Sequence, residues 1–201
     1  MAQLPFNARA QWGRMRHDPF QPEHLAQNGQ GPAAKADLQL SFRASMRQLA
    51  GAVSVVTVGE GANRTGFTAT SVTSLSIDPP ALLVSLNRNS ASWPIVQRDR
   101  RFTVNILSST HQQIAETFAG RLGLKGVDRY ADVRWQQTHG QTPALIDALA
   151  VIECDLDEAI ERYSHAILIG RVLSVTHRAA IDPLVYWQGD YRRLDTDADD
   201  R

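Results

Sequence analysis

The chain has 201 residues, is 43% hydrophobic and balances 21 Lys and Arg against 21 Asp and Glu. That is enough for one domain with a sizeable core, and zero net charge without a basic block argues against nucleic acid as a partner. Cys154 is the single cysteine, so no internal disulfide forms; no apolar run nears the roughly 20 residues that span a bilayer and residues 1–20 lack an apolar signal core, so a cytoplasmic protein off the membrane is expected.

Residues 1–37 are rich in Gln, Pro, Ala and Gly and poor in branched apolar residues, the composition of a mobile arm. Trp12, Met15 and Phe20 stand out there as large apolar residues that seldom sit free in water. The folded domain is expected over residues 38–194. Phe42, Met46 and Leu49 recur at helical spacing from near Ser41, and Gly51 would stop that helix. VSVVTV (53–58) reads as a strand, and GEGANRTG as a hairpin connection to a second strand over 65–77. A turn at Asp78-Pro79-Pro80 leads to ALLVSL (81–86), whose unbroken apolar run predicts burial on both faces. Residues 90–98 read as a short helix or turn interrupted by Pro94, and RFTVNIL (101–107) alternates as a strand. Ser109 and Gln112 have capping-box spacing ahead of a helix with Ile114 and Phe118 on its apolar stripe and Gly120 as its stop. After an irregular stretch come two long strands, at about 149–157 and 165–176. In the first, Ile152, Cys154 and Leu156 share an apolar face, and Glu153, Asp155 and Asp157 a wet one. A last short strand falls at 184–188, and residues 195–201 make an acidic tail. Strands outnumber helices without alternating with them. A mainly β fold, an antiparallel barrel with a few peripheral helices, is therefore expected rather than a doubly wound sheet.

Several chemistries have no footing in these residues. No G-x-G-x-x-G opens a helix, no G-x-x-x-x-G-K-[ST] or G-x-S-x-G occurs, and Cys154 and the scattered histidines do not pair at metal-ligand spacing. What remains is a hydroxyl-rich segment: Thr68, Thr70, Ser71, Thr73, Ser74 and Ser76, ahead of a strand ending at Leu86-Asn87-Arg88-Asn89-Ser90. Hydroxyls beside strand-edge N–H groups bind phosphate and the polar rim of a flat heterocycle without a formal charge. The same residues also read as good strand formers with serines facing water.

In order and spacing, the pieces GFTATSVTSLSIDPPALLVSLNRNS, RFTVNIL, IAETFAG, ALAVIECDL, HAILIGRV and PLVYWQGDYRRL resemble the flavin reductase-like family, the FMN-binding split-barrel reductases, over residues 41–194. The resemblance is to the small reductase components of two-component flavin monooxygenases. It implies a split β-barrel homodimer that takes FMN or FAD, with NADH or NADPH as hydride donor, and feeds reduced flavin to a separate oxygenase. It places Gly66, Thr68, Ala69, Thr70 and Ser71 on the flavin-binding strand and Ser85, Leu86 and Asn87 on a second one. It puts Ser90 and Ser92 near phosphate or ribityl oxygens, and Phe118, Ala119, Gly120 and Arg121 in a loop near the flavin, with Arg121 toward phosphate. Tyr186 and Tyr191 fall in the closing segment. His165 matches the histidine of a Gly-Asp-His pattern and is the catalytic candidate, although here Tyr163-Ser164-His165 lacks the carboxylate. Two other functions fit the same resemblance. One is a tightly held flavin serving a cobalt corrinoid or ferric chelate; the other is a flavin- or haem-binding split barrel without turnover.

Overall fold

The computed structural model describes residues 31–131, 133–178 and 182–194. The arm's Trp12, Met15 and Phe20 and the acidic tail lie outside the described residues. The chain forms two compact units, residues 1–43 and 44–201. In the first, the described residues are almost all helical and belong to α1 (Pro32–Met46), where Leu38, Leu40 and Phe42 are exposed. The helix opens at Pro32 rather than near Ser41, because proline at the first helical position loses no intrahelical hydrogen bond. It ends at Met46, and Gly51 instead starts a strand.

The second unit runs, in chain order, β1 (Gly51–Ala52), β2 (Ser54–Val58), β3 (Thr65–Ala69), β4 (Thr73–Ile77), β5 (Pro80–Asn87), α2 (Ser92–Asp99), β6 (Arg101–Ile106), α3 (Gln112–Phe118), β7 (Trp135–Gln137), β8 (Pro143–Leu145), β9 (Ala150–Arg162), β10 (His165–His177), β11 (Leu184–Trp187) and β12 (Asp190–Arg193). Seven strands form one antiparallel sheet in the order β3-β2-β6-β9-β10-β5-β4; β1, β11 and β12 form a second, and β7 pairs with β8. The large sheet curls around one core. Val56 and Val58, Ala69, Leu82, Val84 and Leu86, Phe102 and Val104, Cys154 and Leu156, and Ala166 and Leu168 converge there with Trp93 and Val96 of α2. Val55 on the opposite face of β2, with Val53 just before the strand, packs under α3 in a second core with Ile114, Phe118, Tyr130 and Leu145. β2 is therefore buried along its whole length.

Several local expectations change. The strand expected over 65–77 is two strands. β3 pairs with β2 and β4 with β5, so they sit at opposite edges of the sheet and residues 70–72 cross between them. β5 does not bury both faces; Ala81, Leu83 and Ser85 are half-buried, because only one face of a curled sheet reaches the enclosed core. Pro94 does not interrupt α2, since it lies in the first turn, where backbone N–H groups have no helical partner anyway. The capping box lies one residue earlier than expected, on Ser108 and His111. The irregular stretch holds the β7–β8 hairpin and a short 3₁₀ turn, Gly126–Tyr130. Glu153 is not wet. It is buried, and its carboxylate accepts from Thr138 Oγ1 (2.8 Å), Gly140 N (2.6 Å) and Ser174 Oγ (3.2 Å) as the turn before β8 folds over it.

Candidate functional site

The end of α3 is built against β3. A Cβ on Gly66 would come within 2.6 Å of the Val56 carbonyl and 2.9 Å of the Phe118 ring, so only glycine lets the helix approach this closely. Thr68 Oγ1 donates to the Ala115 carbonyl at 2.6 Å and ties the same two elements. The helix closes after its cap residue, Ala119. The N–H of Arg121 donates to the Glu116 carbonyl and that of Gly120 to Thr117, with Gly120 at φ 79°. This paired arrangement needs a left-handed residue, which glycine supplies at least cost, and it turns the chain sharply so that Arg121 leaves the helix axis.

Arg121 then meets β11 and β12. Its Nη2 donates to Tyr186 Oη at 3.4 Å, its Cζ lies 5.3 Å from the centre of the Tyr191 ring, and Nη1 is 4.0 Å from Glu116. Tyr186 and Tyr191 are cross-strand partners whose rings stand edge-on at 5.2 Å. Burial pushes the Tyr191 phenol above its ordinary range, although the Arg121 charge pulls the other way. Val53, Thr68, Ala69, Thr70, Ala119, Arg121, Tyr186 and Tyr191 together line an open groove of about 200 Å³. A larger cavity, about 270 Å³ between α3 and residues 124–133, contains none of the candidate site residues read from the sequence.

A second group sits around the far ends of β5 and β10. Ser71 Oγ accepts from Ser85 N at 3.1 Å, which links the crossing segment after β3 to β5. Asn87 Oδ1 accepts from Asn89 N at 2.9 Å, and Ser90 Oγ accepts from Ser92 N at 3.2 Å as the chain enters α2. His165 opens β10 in register with Asn87 and is exposed. Ser164 Oγ lies 2.9 Å from its Nδ1, so a hydroxyl stands where the resembled pattern has a carboxylate. A hydroxyl both donates and accepts, and so holds either tautomer.

The sequence-selected residues thus separate by position. Thr68, Ala69, Thr70, Ala119, Arg121 and Tyr186 line the groove. Ser71, Ser85, Asn87, Ser90 and His165 lie along the strand ends beyond it. The side chains of Leu86, Ser92 and Phe118 are buried, Leu86 in the barrel core and Phe118 under α3. Gly66 and Gly120 act through backbone geometry. Ser92 Oγ is buried without a hydrogen-bond partner among the described residues. Sequence reasoning missed Val53 as a groove residue, because an inward valine in a buried strand carries no mark of function. It also missed Glu116, whose place beside Arg121 follows from the helix closure.

Residues 46–195 match the profile of the flavin reductase like domain. The FMN reductase (NADH) RutF of Cronobacter turicensis is 33% identical over 156 residues, spanning 78% of this chain and 93% of that protein. BorF, the flavin reductase component of a bacterial two-component tryptophan halogenase, matches with TM-score 0.72 at 32% identity over 78% of this chain and 98% of its own. The NADH:FAD oxidoreductase SgcE6 of Streptomyces globisporus, solved with NAD and FAD fragments, matches with TM-score 0.73 at 28% identity over 80% and 95%.

Proposed function

We infer that this chain, which belongs to the flavin reductase-like domain family, is an NAD(P)H:flavin oxidoreductase. The observation that carries the reading is the groove itself: a hydroxyl-bearing strand end facing one guanidinium and two tyrosines. This donor set fits a flavin, FMN or FAD. Arg121 supplies a positive charge for phosphate, and Thr68, Thr70 and the backbone beside them supply uncharged partners for the ring's polar rim. A flavin bound there would itself supply the chemistry of accepting hydride from a nicotinamide, so no side-chain acid or base is obligatory. Thr68 spends its proton on Ala115 and offers only lone pairs to a ligand. Ser71, Ser85, Asn87 and Ser90 extend the polar surface toward His165, which places the nicotinamide, while buried Ser92 supports the start of α2. Gly66, Ala69, Leu86, Phe118, Ala119 and Gly120 shape the groove by packing and backbone conformation. Many neutral hydrogen bonds, each contributing roughly 0.5–1.5 kcal/mol, suit a flavin that binds and leaves.

Reduced flavin passes on this reading to a separate flavin-dependent oxygenase, as the name of BorF implies for its halogenase. The catalytic domain is residues 38–194, flanked by the arm (1–37) and the tail (195–201), and the arm contributes little to its stability; a truncation starting at Asp37, which removes the first residues of α1, with an unchanged melting temperature supports that boundary. The protein works as a cytoplasmic homodimer. The exposed edge strand β4 carries Leu75 and Ile77 with no charge to guard it, and such an edge calls for cover. Light scattering at micromolar protein tests this, and a monomer mass refutes it. The activity is tested by anaerobic rapid mixing of protein and flavin with NADH and with NADPH. Bleaching of the flavin's visible absorbance is expected, and its persistence with both donors sinks the reading.

A further inference from the structure

Tyr163 holds a left-handed backbone conformation, φ 52°, in the two-residue turn between β9 and β10, whose flanking residues Arg162 and His165 are paired. Glycine is the usual residue where a tight hairpin turn needs positive φ, and a bulky side chain there is uncommon. Among the described residues nothing offsets that strain through the ring: Tyr163 is 90% exposed and its ring makes no aromatic or hydrogen-bonded contact with them. Arg100 makes the contrast: at φ 53° it closes α2, and its guanidinium donates to the carbonyls of Leu156 and Asp157. The backbone of the Tyr163 turn, by contrast, is firmly held. Arg88 Nη1 donates to the Tyr163 carbonyl at 3.2 Å, Arg88 N donates to the Ser164 carbonyl at 2.9 Å, and the same guanidinium pairs with Glu161. A fixed turn therefore displays an aromatic ring to solvent, next to the Ser164–His165 pair.

We propose that Tyr163 is a binding residue for the hydride donor, its ring stacking on the planar heterocycle of NAD(P)H as the nucleotide arrives at His165. This rests on the reading of the chain as an NAD(P)H:flavin oxidoreductase with His165 at the nicotinamide. A planar partner recovers contact area that the ring lacks in the free protein. Arg88 is committed to Glu161 and the Tyr163 carbonyl, and Arg162, which flanks the turn, donates to the Glu161 carbonyl. Recognition here is accordingly stacking rather than phosphate capture, and Tyr163 does not discriminate NADPH from NADH.

Tyr163→Gly and Tyr163→Phe test this, with flavin at saturation and with flavin-free protein. Tyr163→Gly is expected to melt no lower than wild type, because glycine relieves the turn, and to raise KM for NADH and NADPH alike by about three- to tenfold. Titration of flavin-free protein by NADH fluorescence should show a matching loss of affinity. Tyr163→Phe, which keeps the ring, should restore both. Wild-type-like donor affinity in Tyr163→Gly overturns the assignment, as does a fall in assembly mass with KM unchanged, which gives the ring to a subunit contact. Wild-type protein that oxidises no NADH with added flavin removes the underlying reading instead, and is told apart by that control alone.

Discussion

The guanidinium of Arg121 rests against Tyr186, Nη2 to Oη at 3.4 Å, while its nearest carboxylate, on Glu116, is 4.0 Å away. The charge is thus positioned by a phenol, and by the Tyr191 ring below it, rather than neutralised by a close acid. A cation held this way stays available to an anion.

Arg121→Gln should therefore weaken FMN binding by about ten- to hundredfold, the range for losing a charge-assisted hydrogen bond. Riboflavin, which lacks the phosphate, should bind nearly as before. Equal losses for FMN and riboflavin would show that Arg121 shapes the groove instead of meeting phosphate.

His165→Ala is expected to raise KM for NADH and lower turnover, on the order of tenfold in kcat/KM, with little change in flavin Kd. Steady-state kinetics and a flavin titration decide it. Lost flavin binding with intact NADH kinetics would move His165 out of the donor site.

His111 offers a pH test of stability. Burial lowers its pKa below the ordinary 6.5, with the Arg178 charge acting the same way and Asp147 opposing. Its Nδ1 accepts from Ser108 N at 3.3 Å, an acceptor role that protonation abolishes. The unfolded chain then binds this proton more readily than the folded one. The contribution is complete above about pH 6.5 and is lost as pH falls through the lowered folded value. Urea unfolding at stepped pH should show His111→Asn with a flatter profile than wild type below that point. Identical slopes would mean that other groups carry the acid sensitivity.

Gly66→Ala should cost about 1–3 kcal/mol of stability by overpacking, because its new Cβ meets a backbone carbonyl as well as the Phe118 ring. A denaturant melt measures this. A neutral effect on stability with lost flavin affinity would instead give Gly66 a direct place at the ligand.

By itself the sequence determined the class of the fold and most of its strands. Two-residue alternation and valine-rich runs such as 53–58 are local consequences of burial, and they survive any arrangement of the strands. It also marked Thr68 and Thr70, because hydroxyls crowd that short stretch, whereas Arg121 was marked only through the family resemblance of the loop that holds it. Only the tertiary structure decided how the marked residues divide. Leu86 and Asn87 are neighbours in the chain, yet the pleat sends the Leu86 side chain into the core and leaves Asn87 exposed beside His165. Glu153 reads as a solvated acid by alternation, but a turn some 13 residues earlier in the chain covers it. The groove itself is made by β3, the end of α3 and the β11–β12 hairpin, segments more than 50 residues apart at their extremes. No local pattern encodes that convergence, because pairing and packing energies set it across the whole chain.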